Sequence, residues 1–121
     1  MVAMNTEVEP VQAPIQLQPV ADAVQRHTGK TWDALCSAGR TQRLSLVRKM
    51  AALALREVCP DMSLRDIGRE LGGRDHSTVI YWMSSIKRIV EEDVMYRTVM
   101  QNIYQDAVRM RDYANNQAAV S

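Results

Sequence analysis

Five consecutive polar residues, Arg74-Asp75-His76-Ser77-Thr78, follow Gly72-Gly73 and precede an apolar run that opens with Val79. Three kinds of chemistry fit these side chains. A carboxylate beside an imidazole is the raw material of a general base. Neighbouring side chains at a helix start diverge, however, and no Ser or Cys stands in a recognisable nucleophile context, so catalysis is not expected. A carboxylate just before a helix can instead cap it, Asp75 accepting the backbone N–H of Ser77 or Thr78. Finally, Asp75, His76, Ser77 and Thr78 can all donate or accept at a base edge. A carboxylate accepts from cytosine N4, hydroxyls bond either partner, and a threonine methyl touches the thymine methyl. Capping and base reading are compatible, because a carboxylate has two oxygens. A merely solvated helix start would use the same residue types.

The other chemistry-bearing residues point nowhere in particular. Gly29-Lys30-Thr31 looks like the end of a phosphate-binding loop, but the first glycine of that pattern falls on Val24 and no strand precedes it. It reads as a helix end and a short turn. Cys36 and Cys59 stand 23 positions apart, outside any zinc spacing, with only His27 and His76 to assist. They read as reduced thiols acting as small apolar residues. No metal, cofactor or catalytic residue is expected.

The elements that must position the polar run are helical. Pro19 opens a short helix that ends near Gly29, and Trp32 to about Ser37 forms a small one. Over 43–58, RLSLVRKMAALALREV places Leu44, Val47, Ala51, Leu55 and Val58 on helical spacing. Pro60 follows its end. Ser63 and Asp66 form a capping box for a helix over about 64–71, which Gly72-Gly73 closes. Val79, Met83, Ile86 and Val90 define the core face of the next helix, about 76–90. Glu91-Glu92-Asp93 place acids at the start of a last helix reaching about Tyr113. Residues 1–16 read as a flexible tail and 114–121 as a frayed end. The fold class is all-α, one helical domain over 17–113. The polar run becomes a turn and the first turn of a second helix, which is a helix-turn-helix. In that motif the second helix enters the major groove with its N-terminal residues at base edges.

Charge supports the same reading. The net charge is +1, but residues 40–88 carry ten bases against five acids, while both flanks are acidic. A localised basic face under a neutral total suits nucleic acid. No apolar run approaches a membrane span, and the N-terminus lacks the order of a signal peptide, so a cytoplasmic, nucleoid-associated protein is expected.

At IGRELGGRDHSTV, residues 67–79, the chain resembles the C-terminal helix-turn-helix domain of the bacterial replication initiator DnaA, domain IV, whose fold is similar to the Trp repressor's. Upstream, RTQRLSLVRKMAALALREV is similar to that family's basic loop and long helix, and the likeness runs over about 17–105. The resemblance implies double-stranded DNA as partner, with Asp75, His76, Ser77 and Thr78 as base readers. It implies Arg40 as the minor-groove arginine, with Arg43 close by. Arg48, Arg56, Ser63, Leu64 and Arg74 fall where the family meets phosphates. Leu71 stands where the family usually has Phe. The loop's middle, Leu44 to Val47, is mostly apolar, and Ser84 and Ser85 replace two basic residues. The family's ATPase domain has no counterpart in this sequence, so ATP-driven origin melting by this chain is not expected.

Two functions follow as expectations for a bacterial or phage protein. One is a sequence-specific DNA binder that regulates transcription or replication initiation by occupying sites. The other is an interaction protein that binds the initiator or RNA polymerase and retains a vestigial DNA face. A stripe of Tyr96, Val99, Met100, Ile103, Ala107 and Met110 suggests a homodimer through residues 94–113.

Overall fold

The computed structural model describes residues 11–120, with side chains as far as Gln117. The first ten residues of the expected tail lie outside it. The remainder of that tail is anchored: Val11 N–H donates to Asp33 Oδ1 at 2.9 Å, Ala13 is buried, and Ile15–Leu17 form a 3-10 turn that sends Leu17 into the core. Six α-helices follow: α1 Gln18–Thr28, α2 Trp32–Cys36, α3 Gln42–Val58, α4 Leu64–Glu70, α5 His76–Glu92 and α6 Val94–Val120. No strand occurs among the described residues. None of the helices there is long and apolar enough to cross a membrane.

Local chemistry sets each boundary. Thr31, Thr41, Ser63 and Asp75 are N-caps whose side chains accept backbone N–H groups, satisfying donors a helix start leaves free. Gly29 closes α1 with φ 79°, so Gly29-Lys30-Thr31 is a helix end, a turn and a cap. Ser63 and Asp66 bond reciprocally in the capping box.

The long α3 is the hub, in contact with every other helix. Ala51, Ala52 and Ala54 are fully buried, and their small side chains let neighbours approach closely. Leu35, Leu55, Ile67, Leu71, Val79 and Ile86 fill the space between α2, α3, α4 and α5. Burial of such side chains contributes about 1.5–3 kcal/mol each. Leu71, where the family usually has Phe, is fully buried.

Two expectations about the last helix change. Glu91 and Glu92 end α5, and only Asp93 starts the next element, its Oδ1 accepting from Met95 and Tyr96 N–H. Arg97 bonds the carbonyls of Val90 and Glu91, placing a cation at the negative end of α5. The helix also continues past 113 to Val120. Its apolar stripe is taken up inside the molecule: Met100, Ile103 and Ala107 are buried, while Tyr96, Val99 and Met110 pack at the edge of the core. The face of α6 proposed as a dimer seam therefore covers α1, α3 and α5.

Candidate nucleic-acid interface

The turn between α4 and α5 is held by backbone contact. Arg74 N–H donates to Gly68 O at 2.7 Å, and a Cβ on Gly68 would lie 2.2 Å from Arg74 O. Gly72 has φ +93°, and a Cβ there would meet Cys36 O at 2.6 Å. Glycine at both places lets the turn close against α4 and against the end of α2.

The four polar residues stand at the start of α5 as the sequence requires, but two of them are partly engaged with each other. Asp75 Oδ2 accepts the N–H of Ser77 at 3.1 Å and also its hydroxyl. These bonds hold the Asp75 carboxyl below the usual carboxylate range. Its Oδ1 lies 3.9 Å from His76 Nδ1. Asp75 is therefore an ionised cap with one oxygen directed away from the cap bonds. His76 keeps 42% of its side chain exposed, Ser77 is exposed and Thr78 is half-buried. Apart from the capping Asp75, no acid stands in the first turn of α5. A positive helix end therefore faces outward without a neutralising side chain beyond its cap.

The arginines separate into three groups. Arg40 and Arg43 are exposed on and just after the loop before α3. Arg56 is exposed and donates Nη1 to Met62 O, while Arg74 donates Nε to Leu71 O and Nη2 to Ser37 O at 2.7 Å. Arg48 requires a correction. It is 3% exposed, and its guanidinium donates to Leu35 O at 2.8 Å, Gly39 O at 2.6 Å and Ser37 O at 2.6 Å. It points into the domain and holds the loop that carries Arg40; it is not placed to meet a phosphate. Arg48 and Arg74 share the Ser37 carbonyl, so one oxygen joins the basic loop to the turn before the recognition helix. Ser63 is committed to its cap, and Leu64 opens α4 half-buried.

Lys49, one position on from Arg48 and therefore about 100° around the helix, turns outward instead. Its Nζ donates to Ser85 Oγ at 3.0 Å and lies 5.1 Å from the centre of the Tyr81 ring. This places a cation beside α5 near the two serines that stand in place of basic residues. Sequence reading missed it; the step in helical phase between 48 and 49 was the available signal. Both cysteines are free, and burial pushes both thiols up, which disfavours the reactive thiolate.

The family model for the bacterial dnaA protein helix-turn-helix matches residues 17–89. The chain is 34% identical over 94 residues to the chromosomal replication initiator protein DnaA of Streptococcus pyogenes serotype M4, covering 78% of this chain and 21% of that protein. It is 36% identical over 89 residues to the protein of the same name from Streptococcus uberis, covering 74% of this chain and 20% of that one. The chain thus spans about a fifth of the length of these relatives.

Proposed function

The chain belongs to the bacterial DnaA helix-turn-helix family, and from that premise we propose that it binds double-stranded DNA sequence-specifically and acts by occupying sites. Membership of this family points to DNA binding. The observation that carries the specific reading is the start of α5. His76, Ser77 and Thr78 stand on a helix N-terminus with no acid in its first turn beyond the Asp75 cap. The turn before it is tied through the Ser37 carbonyl to the loop that carries Arg40, and Arg40 and Arg43 are exposed. Polar side chains there suit base edges, and the exposed arginines suit phosphates and the minor groove.

On this reading the protein works in the cytoplasm, on the nucleoid, without chemistry of its own. It regulates transcription, or modulates initiation by competing for initiator sites. A homodimer through residues 94–113 would be built on Val94, Met95 and Tyr113, large apolar side chains exposed on α6 among the described residues. Sedimentation with and without DNA would detect it. The alternative reading is a protein that contacts the initiator or RNA polymerase through this fold. The burial of Arg48 favours it, since one expected phosphate contact is removed.

Two sets of variants separate the readings. His76→Ala and Thr78→Ala should each cost about 1–3 kcal/mol on preferred DNA and little on random DNA. Arg40→Ala and Arg43→Ala should weaken both alike and lower the salt slope by about one each. Fluorescence anisotropy over a salt series measures both quantities. Equal losses on both kinds of DNA for all four variants would contradict the assignment of base readers. No loss for any of them would favour the protein-contact reading.

A further inference from the structure

The outward face of α5 carries side chains that the polar readers do not explain. Val79, Trp82, Met83 and Ile86 turn into the core, whereas Ser77, Ile80, Tyr81 and Ser84 are exposed. Positions three and four apart share a helical face, so Ile80 and Tyr81 flank the line from Ser77 to Ser84. Ile80 leaves 46% of its surface in water and Tyr81 62%. The Tyr81 ring lies beside the Lys49 ammonium; Ile80 has no polar atom to offer a partner. It stands one turn beyond Ser77, at a rise of about 1.5 Å per residue.

We propose that Ile80 is a specificity-determining residue that reads the C5-methyl group of a thymine in the major groove. The inference rests on the DNA-binding reading and extends it by one helical turn. Charge decides what occupies this face. From His76 to Val90 the helix contains no acid, and Lys87 and Arg88 are exposed on its later turns. Lys49 flanks it from α3. An apolar side chain set among cations, beside hydrogen-bonding residues, suits a polyanion that also displays methyl groups. The thymine methyl is the only apolar group that unmodified DNA presents in the major groove. The mutual engagement of Asp75 and Ser77 reduces the polar reading available in the first turn and leaves more discrimination to the second.

The test uses the full chain and a duplex selected from random DNA for tight binding. Each thymine is replaced in turn by deoxyuridine, which removes the methyl and keeps every hydrogen-bonding group. Binding of the wild type and of Ile80→Ala is then measured. At one or two positions, demethylation should weaken wild-type binding about fourfold, from ~0.8 kcal/mol per buried methyl. Ile80→Ala should abolish that sensitivity at those positions, and Ile80→Val should retain part of it. Undiminished sensitivity in Ile80→Ala would overturn the proposal, as would a specifically bound duplex whose thymines are all indifferent to demethylation. In those two cases DNA reading itself survives. Failure to select any preferred duplex would instead remove the DNA-binding reading, and this inference with it.

Discussion

Arg48 and Lys49 show how much one position decides. Both are basic residues of α3, and 100° of helical phase sends one to the interior and the other to the surface. Arg48 donates to four backbone carbonyls at the end of α2 and in the loop after it. Removing it would take the side-chain donor from the buried Leu35 carbonyl and from Gly39 O, while Ser37 O keeps Arg74, at about 1–3 kcal/mol for a buried acceptor left unpaired. Arg48→Ala should therefore destabilise the fold by about 3 kcal/mol in urea unfolding. Arg40→Ala, at an exposed site, should stay within about 0.5 kcal/mol of wild type. If Arg48→Ala kept full stability and lost only DNA affinity, the phosphate role implied by the family resemblance would stand after all. The placement of Asp75, His76, Ser77 and Thr78 at a helix start was legible, because paired glycines followed by a capping carboxylate mark a turn and a helix N-terminus. The mutual bonding of Asp75 and Ser77 was not, since it depends on which rotamers the two side chains share.

At the scale of elements, capping residues and apolar spacing located every α-helix but the last to within a few positions, and α6 runs seven positions beyond its expected end at Tyr113. The boundary between α5 and α6 was misplaced for a packing reason. Glu91 and Glu92 carry the charge preferred at a helix start, yet they end α5, because Ile89 and Val90 still pack against the core and the chain turns only at Asp93. Packing overrides the helix dipole when the dipole contributes only about 0.3–1 kcal/mol. The turn between α4 and α5 depends on sterics that the sequence shows only as glycine. Gly68→Ala would drive a Cβ into the Arg74 carbonyl, which is backbone and cannot rotate away. It should cost at least about 3 kcal/mol, measured by thermal or urea unfolding. Stability close to wild type would mean that the turn can move away from α4.

The whole molecule is closed by a contact between its first and last helices. Asp106 on α6 is buried and accepts from His27 at 2.5 Å, with Arg26 at 3.4 Å and Arg109 also paired to it. The His27 bond, then the nearby arginine charges, hold its carboxyl below the ordinary value of 3.8. A depressed carboxylate stabilises the fold above its unfolded pKa and loses that contribution as pH falls through the folded one. The urea midpoint should therefore fall below about pH 4. Asp106→Asn should start lower at neutral pH and decline less steeply on the acid side. Parallel acid limbs in the two proteins would show that Asp106 does not couple α1 to α6. Neither partner was legible as a pair in the sequence, because 79 positions separate His27 from Asp106 and only the closed bundle brings them together.

The central claim is that this fold reads DNA sequence, and unbiased selection of bound duplexes from a random pool near physiological salt tests it most directly. A short enriched motif, lost in His76→Ala and Thr78→Ala but only weakened in Arg40→Ala, is the predicted result. A folded protein that enriches no sequence would contradict it and leave the fold as a contact surface for another protein.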